Sequence, residues 1–429
     1  MASAATQPAT QPSGIVVSPD RPGGVYEAGE TVHWKAEWFG PGNPSADATY
    51  AIRTGHQKEA VKAALTFTGN VATFDWTFEE PNSAYAIVSW GKNPTRRTNA
   101  GAIASPFKIQ PATDEPADFD AFWQGQLAAL KRIPPNPQLV PGDSGVPGVT
   151  YAKITLDNIN GTHVQGQLAR PEKGETFPAV LIPQWAGVYG LQKAWVTDRA
   201  KTGWLALNLE AHDIPIDEPA DFYARLKAPG GPLENYPKIG NTDKNKSHYL
   251  RMYLSVAQAI TYLKTRPDWD GKTLVVMGTS QGGQQTLMAA GLCPDDVTAA
   301  LAFLPAACDT WAESIGRRSG YPFWWNNTTP ETADAVHATS KYFDPVFFAR
   351  RIKCPVLCSA GLKDDVAPAT SVLAAFNQIK SPKRFIVLPL AAHWDEKGSQ
   401  APYGRVAYGQ WLPALAKGEP PPMDVAPAK

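Results

Sequence analysis

Cysteine is scarce in this chain of 429 residues, which holds four of them. They are Cys293, Cys308, Cys354 and Cys358, with no Cys-x-x-Cys pair and no paired histidine spacing. This pattern argues against a zinc site. If "CPVLC" is a strand, Cys354 and Cys358 share one face about 13 Å apart, too far for a disulfide. We therefore expect buried free thiols.

Long apolar runs and an excess of one charge are also absent. No stretch approaches the roughly eighteen apolar residues that a membrane helix needs. Forty Lys and Arg balance forty Asp and Glu, and no basic tract is present to neutralise a phosphate backbone. Neither a membrane nor a nucleic acid is therefore an expected partner.

The first residues lack the apolar core of a signal peptide. The start, "MASAATQPATQPSG", is typical of a Ser/Thr/Pro/Ala-rich linker behind an added Met. We expect a protein exported to the periplasm or the cell exterior, with its signal peptide absent from this chain. A cytoplasmic protein with a ragged tail would show the same composition. Residues 1–13 and 417–429 predict flexible tails.

What the chain does contain is enough apolar residues, 43% of the total, for more than one core. From residue 14 to residue 112 the apolar residues alternate, as in "TVHWKAEW", which indicates half-buried strands. "ALTFTGNVATFDWTF" predicts a hairpin around Gly69-Asn70. About seven short strands without a helix favour an immunoglobulin-like β-sandwich. Its His33 and His56 have no partner at ligand spacing and are expected on a surface or in a wall.

The spacing of apolar residues changes at residue 113, where a second domain is predicted to begin. Asp118 is placed to cap an amphipathic helix, and Asn160-Gly161 predicts the turn of a β-ribbon. Buried Val/Ile/Leu runs then alternate with amphipathic helices. Residues 113–416 therefore predict a doubly wound, mostly parallel α/β sheet with its site at the carboxyl ends of the strands.

A serine between glycines follows one of these strands. Gly278-Thr279-Ser280-Gln281-Gly282 stands after "TLVVM" and before a predicted helix, the context in which G-x-S-x-G is a nucleophile elbow of an α/β-hydrolase. Small neighbours are needed because strand and helix pass very close at such a turn. Ser280 is the predicted nucleophile.

A serine nucleophile needs a base and an orienting acid, which follow it in this fold as acid and then histidine. Of the two later histidines, His393 follows the last predicted strand, whereas His337 lies in a polar helical insertion. We predict His393 as the base. Asp364 and Asp365 both follow the preceding strand, and Asp364, the first after the glycine-bearing turn, is the preferred acid.

Backbone amides complete the predicted site. One oxyanion donor is the Gln281 amide, and the other comes from the loop "QWAGVYG", through Trp185 or Ala186. Pocket candidates follow other strand ends or lie in a lid-like insertion, where a solvated loop or internal packing is the alternative. They are Trp185, Glu210, His212, Trp324 and Trp325.

With these residues assembled, residues 115 to 414 resemble the acetyl xylan esterases and cephalosporin C deacetylases of carbohydrate esterase family 7. The resemblance rests on "PADFDAFWQGQLAAL", on "YLRMYLSVAQAITYLKTRPDWDGKTLVVMGTSQGGQ" and on "GLKDDVAPAT". It implies an α/β-hydrolase fold, Asp364 as the acid, the Ala186 amide as an oxyanion donor, and a homo-oligomer. It also implies an acylated carbohydrate as the substrate, with no metal or organic cofactor.

The chain departs from the family at several positions. Glu210 and His212 stand where members carry Arg-Gly-Gln, Ala186 stands in the place of a Tyr, and Trp394 replaces the Glu that follows the histidine. Members also lack a sandwich of this size in front. A divergent branch that acts on another acylated carbohydrate fits these differences.

We therefore predict a serine esterase that removes acetyl or another small acyl group from a carbohydrate. A peptidase of prolyl oligopeptidase type shares the fold but carries a propeller of several hundred residues, which some 110 residues cannot form. A non-catalytic carbohydrate-binding protein on a hydrolase scaffold is the alternative from another class. The retention of Ser, Asp and His in the right order argues against it.

Overall fold

The computed structural model of the protein describes residues 14–40, 47–92 and 95–423. The predicted N-terminal tail, residues 1–13, lies outside these ranges. No helix within them is long and apolar enough to cross a membrane, and their His, Cys, Asp and Glu residues form no group suited to a metal ion. All four cysteines are free thiols, three of them buried and Cys293 half-buried.

The N-terminal part is the predicted two-sheet sandwich. Its strands are β1 (Gly14–Pro19), β2 (Val25–Tyr26), β3 (Thr31–Phe39), β4 (Thr49–Thr54), β5 (Lys58–Ala64), β6 (Val71–Thr77), β7 (Ser83–Trp90) and β8 (Arg96–Ala104). One sheet has the order β1-β3-β6 and the other β2-β8-β7-β4-β5. The alternation in β3 buries Val32, Trp34 and Ala36 between the sheets, because successive side chains of a strand face opposite ways.

The hairpin predicted around Gly69-Asn70 is wrong. β5 pairs with β4 in one sheet, whereas β6 pairs with β3 in the other. A tight turn does form, closed by the hydrogen bond from the Thr68 amide to the Val71 carbonyl at 2.8 Å. The segment before it crosses between the sheets and carries Leu65 into the core, where it is 5% exposed. Burial of Leu65 outweighs local strand pairing.

The second part contains a nine-stranded sheet. Its strands are β9 (Gln138–Gly142), β10 (Val149–Asp157), β11 (His163–Pro171), β12 (Phe177–Pro183), β13 (Leu205–Leu209), β14 (Trp269–Thr279), β15 (Ala299–Phe303), β16 (Val356–Gly361) and β17 (Lys383–Leu388). The order is β17-β16-β15-β14-β12-β13-β11-β10-β9. In this order neighbouring strands are parallel from β17 to β13 and antiparallel from β13 to β9. The β-ribbon turn is confirmed, since Asn160 and Gly161 both have positive φ, 55° and 69°. This is the predicted α/β-hydrolase sheet.

Helices cover both faces of the sheet. They are α1 (Phe119–Leu130), α2 (Ala194–Ala200), α3 (Ala220–Lys227), α4 (His248–Thr265), α5 (Gln281–Leu292), α6 (Ala333–Ser340), α7 (Pro345–Ala349), α8 (Ala369–Gln378), α9 (Ala401–Val406) and α10 (Leu412–Ala416). The core on one face includes α1, α4, α5, α7 and α8, and that on the other includes α2, α9 and α10. Asp118 precedes α1 but makes no capping bond. Its carboxylate instead accepts from the Lys244 ammonium at 2.6 Å and from the Tyr342 hydroxyl.

Part of the predicted C-terminal tail packs against the body of the protein. Pro421 is buried, and the Pro422 carbonyl accepts a hydrogen bond from Trp411 Nε1 at 3.1 Å. Met423 contacts the core beside α10. The tail prediction is therefore corrected for residues 421–423, because their apolar side chains pack against the folded protein. Residues 424–429 lie outside the described residues.

Candidate active site

The turn between β14 and α5 carries Ser280 in a strained conformation. Its φ is 56° and its ψ is −119°, a region that non-glycine residues seldom adopt. The Ser280 amide donates to the Phe303 carbonyl, and the Ser280 carbonyl accepts from the Gln284 amide, both at 2.9 Å. These two bonds hold the strained residue between strand and helix, as the elbow motif requires.

Close approach of strand and helix explains the glycines of the motif. A Cβ on Gly278 would lie 2.4 Å from the Gly282 carbonyl, and a Cβ on Gly282 would lie 2.4 Å from the Pro183 carbonyl. Backbone atoms cannot yield to such contacts without moving the turn. Only glycine fits at either position, and the sequence pattern thus follows from local sterics.

The structure brings the three predicted side chains together. Ser280 Oγ lies 2.9 Å from His393 Nε2, and His393 Nδ1 lies 2.8 Å from Asp364 Oδ2. All three residues are buried. The alternatives lie elsewhere: His337 stacks on the Trp325 ring at 4.0 Å, and the backbone carbonyl of Asp365 accepts from Arg318. His393 thus contacts Ser280, and Asp364 contacts His393, whereas His337 and Asp365 contact neither.

Backbone groups fix the acid. Asp364 Oδ1 accepts hydrogen bonds from the Val366 amide at 2.9 Å and the Ala367 amide at 2.8 Å. These donors leave Oδ2 to face His393. Because the carboxylate is fully buried, two amide donors and an imidazole donor satisfy it where water does not reach.

The histidine loop is tied down by a side-chain amide. Gln400 Nε2 donates to the carbonyls of Ala392 at 3.1 Å and His393 at 3.0 Å. Next to it, the Lys363 amide donates to the Ala391 carbonyl at 3.0 Å. The loop that carries the imidazole is thus joined to the loop that carries the acid, which keeps the two side chains in register.

The predicted oxyanion donors lie at the same place. Ala186 lines the cavity above Ser280, and Gln281 is the first residue of α5. Within the described ranges neither amide donates a hydrogen bond. Two free amides beside the serine, one of them at a helix N-terminus, suit a developing negative charge.

A buried hydrogen-bond network lies behind these amides. The Tyr236 hydroxyl donates to Gln281 Oε1 at 2.7 Å and accepts from the Gly187 amide at 3.3 Å. His212 Nε2 donates to the Gly187 carbonyl at 2.9 Å, and its Nδ1 accepts from His248 at 3.1 Å. Burial lowers the pKa of His212 to about 4, so its imidazole is neutral and can serve in this way. The network joins the loop after β12 to the start of α5.

A cavity of about 690 Å³ opens above Ser280. Trp185 lies on its wall as predicted, and Tyr321 and Phe323 contribute from the long insertion after β15. Trp394, directly after the histidine, is 72% exposed at its rim. The cavity has room for much more than an acetyl group.

Four predicted pocket residues do not line this cavity. Glu210 and His212 are buried behind the loop after β12, 3% and 1% exposed. The Trp324 ring is buried, and its Nε1 donates to the Pro237 carbonyl at 2.9 Å. Trp325 stacks on His337. Packing of the insertion thus explains both tryptophans, and an inward turn of the chain after β13 explains Glu210 and His212.

Glu210 is unusual because its carboxyl is buried without full hydrogen bonding. Oε1 accepts from the Ala211 amide at 3.0 Å, whereas Oε2 has no partner within the described chain. Burial raises its pKa to about 8, although Arg251 opposes this through its charge. Near neutral pH the folded protein therefore holds a proton at Glu210 that the unfolded chain releases.

This proton predicts a pH-dependent stability. From pH 4.5 to pH 8 the folded state binds more protons at Glu210 than the unfolded state does, so the free energy of unfolding falls as pH rises. Glu210→Gln removes this dependence, and we expect it to unfold at a higher temperature than the native protein at pH 8. Each unit by which the pKa of Glu210 differs between the folded and unfolded states changes the free energy of unfolding by about 1.4 kcal/mol. Melting curves across this range test it, with the exposed Glu172→Gln as the control; parallel curves for native protein and Glu210→Gln would contradict it.

Sequence reasoning missed several residues that shape the site. Tyr236 and Tyr321 contact the site from distant loops, and Gln400 holds the histidine loop. No motif or period marks any of them. Their contacts join residues far apart in the sequence, and such contacts leave no local sequence pattern by which the residues could be recognised.

Comparisons with known proteins identify the family of the chain. The family model described as acetyl xylan esterase matches residues 107–412. The acetyl esterase Axe7A of Xylanibacter ruminicola is 29% identical over 377 residues, which cover 86% of this chain and 84% of that protein. The likeness to Axe7A thus extends beyond the residues that the family model matches.

Solved structures share the hydrolase fold. An acetyl xylan esterase from Paenibacillus sp. R4 superposes with a TM-score of 0.61 and 23% identity, covering 71% of this chain and 98% of that one. Acetyl xylan esterase 1 from Thermoanaerobacterium sp. JW/SL YS485 superposes with a TM-score of 0.60 and 22% identity, covering 71% of this chain and 96% of that one. Because the family model spans well over half of the chain, this protein belongs to the acetyl xylan esterase family and is a serine carboxylic ester hydrolase.

Proposed function

We propose that the protein removes acetyl groups from a carbohydrate, with Ser280, His393 and Asp364 as the catalytic triad. The observation that carries the proposal is the unbroken hydrogen-bond chain Ser280–His393–Asp364 beneath an open cavity. Its geometry is that of the known hydrolase triads. The acetyl esterases among its relatives support the acyl group.

The reaction begins when Ser280 Oγ attacks the ester carbonyl while His393 Nε2 takes its proton. Asp364 keeps the proton of His393 on Nδ1 and stabilises the imidazolium. The bond to the sugar oxygen then breaks, and His393 returns its proton to that oxygen. Water repeats the sequence on the acyl-enzyme and releases acetate.

Negative charge on the carbonyl oxygen is met by the Ala186 and Gln281 amides. Loss of one such donor in other hydrolases costs roughly 10²- to 10³-fold in kcat. Tyr236 bonds to both halves of this arrangement, through Gly187 and the Gln281 side chain. It therefore acts as a positioning residue for the two amides.

The distribution of tryptophan supports a carbohydrate substrate. The chain has 14 of them, and among the described residues only Trp185 and Trp394 are more than 36% exposed. Both line the cavity above Ser280. Exposed amphipathic rings are common at binding sites, and flat rings can stack on the faces of sugars.

The test measures acetate released from acetylated xylan and from acetylated xylo-oligosaccharides, and the chromogenic alcohol released from an acetate ester and a hexanoate ester. We expect acetate from both carbohydrates and a strong preference for the acetate ester. Hydrolysis of the chromogenic esters without release from any acetylated carbohydrate would contradict the carbohydrate substrate. No hydrolysis at all would favour the non-catalytic binding protein.

We also propose that the sandwich supports the acid loop of the same site. A Cβ on Gly101 in β8 would lie 2.0 Å from the carbonyl oxygen of Leu362, two residues before Asp364. Gly24 approaches the same leucine side chain, and the Arg318 amide donates to the Gly55 carbonyl at 2.8 Å. The sandwich thus contacts the loop that holds the acid.

Gly101→Ala tests this support. The new methyl group pushes against backbone and displaces Asp364 relative to His393, so we expect kcat to fall about 10- to 100-fold with little change in KM. Gly23→Ala is the control, since a Cβ there meets no atom within 4 Å. Active-site labelling with a fluorophosphonate corrects for the folded fraction. If the corrected kcat matches that of Gly23→Ala, the sandwich does not position the acid.

A further inference from the structure

A second cavity opens beside the one above Ser280. It measures about 290 Å³ and shares Gly187 and Tyr321 with the Ser280 cavity. We call it the lysine cavity because Lys227 and Lys238 line it. Shared walls mean that a substrate whose ester lies over Ser280 can extend into the lysine cavity.

The lysine cavity is positively charged. Lys227 ends α3, and Lys238 ends the short turn that carries Tyr236. No Asp or Glu lines the cavity, and in the described part of the chain neither lysine takes part in a salt bridge or a side-chain hydrogen bond. The carboxylate of Glu234, nearby in sequence, accepts instead from the Gly230 amide. Two lysines without an anionic partner in the described chain therefore line the cavity.

A third cavity, which also borders the Ser280 cavity, is different. It measures about 450 Å³ and shares Trp185 and Thr279 with the Ser280 cavity. Its charged lining residues are Asp198, Asp395 and Arg199, so carboxylates outnumber cations on its wall. The Ser280 cavity thus shares lining residues with both neighbours, and of the three only the lysine cavity is lined by more cationic than anionic side chains.

We propose that the lysine cavity is a subsite for a sugar that bears a carboxylate, next to the acetylated sugar over Ser280. A carboxylate would accept charge-assisted hydrogen bonds from Lys227 and Lys238, which a neutral sugar cannot replace. Tyr321 adds aromatic surface to the wall. The inference rests on the proposed function and names its substrate class: acetylated oligosaccharides with a uronic acid.

The test compares kcat/KM for acetate release from two acetylated xylo-oligosaccharides of equal length, one with a uronic acid branch and one neutral. Because both lysines are exposed, we expect the native protein to favour the acidic substrate by about tenfold at low salt, and less at high salt. The double variant Lys227→Gln/Lys238→Gln should lose this preference while its rate on the neutral substrate stays within about twofold. Lys131→Gln/Lys272→Gln is the control, with the same change in net charge outside the cavities.

Three results would overturn the inference. The native protein shows no preference for the acidic substrate, the double variant keeps the preference, or the control double variant loses it equally. The proposed function survives each of these, since both substrates are still deacetylated. If the chromogenic acetate is hydrolysed and neither oligosaccharide releases acetate, the carbohydrate function fails and the subsite fails with it.

Discussion

Ser280→Ala is expected to lower kcat for the chromogenic acetate by about 10⁴- to 10⁶-fold, as loss of the nucleophile does in other triad hydrolases. The loss arises because Ser280 Oγ is the hydroxyl oxygen that contacts His393 Nε2, at 2.9 Å, and among the described residues no other hydroxyl hydrogen-bonds to that nitrogen. The oxyanion amides and the cavity remain in the variant, so some rate above water is expected to persist. KM should change little.

A fluorophosphonate that labels activated serines provides the second readout. The native protein should be labelled on the peptide that contains Ser280, and Ser280→Ala should not be labelled. Ser314→Ala, an exposed serine, is the matched control and should keep full activity. Hydrolysis by Ser280→Ala at the native rate would place the nucleophile elsewhere.

The proximity of Ser280, His393 and Asp364 could be predicted because each residue has a local signal. The glycines around Ser280 are required by contacts as short as 2.4 Å, and they therefore appear in the sequence as a fixed motif. His393 follows the last strand, and Asp364 follows the one before it. Chain order in a doubly wound sheet places such strand ends at one edge, so the fold and the site could be predicted together.

The pocket was not predictable in the same way. Glu210 also follows a strand, but its amide donates to the Gln165 carbonyl at 2.8 Å, which continues the sheet pairing beyond β13 and buries the side chain. A position after a strand therefore does not tell whether the chain turns toward the cleft or away from it. The direction is decided by contacts with β11, which no pattern around Glu210 records.

The aromatic insertion shows the same limit. "PFWW" gives three rings in a row, of which Phe323 lines the cavity, Trp324 is buried and Trp325 stacks on His337. Composition indicates that aromatic side chains are present, whereas the backbone decides which one reaches the cleft. Phe323 itself has a positive φ of 57°, a conformation that propensities do not predict.

Asp364→Asn is expected to lower kcat by about 10⁴-fold, although it preserves size and burial. Asp364 Oδ1 accepts from the Val366 and Ala367 amides. In the variant these two donors select the amide oxygen, and the amide nitrogen must then replace Oδ2 and face His393 Nδ1. A donor at that place forces the proton of His393 onto Nε2.

An imidazole with its proton on Nε2 cannot accept the proton of Ser280, so the chemical step fails while the fold is kept. Asp365→Asn is the matched control. The Asp365 carboxylate makes no hydrogen bond to His393, so this variant should retain native kcat. The measurement is kcat for the chromogenic acetate, with melting temperatures to show that both variants are folded. Near-native kcat in Asp364→Asn, or an equal loss in both variants, would contradict Asp364 as the acid. Loss of kcat in Asp365→Asn alone would assign the role of the acid to Asp365. The two variants therefore decide between the two neighbouring carboxylates.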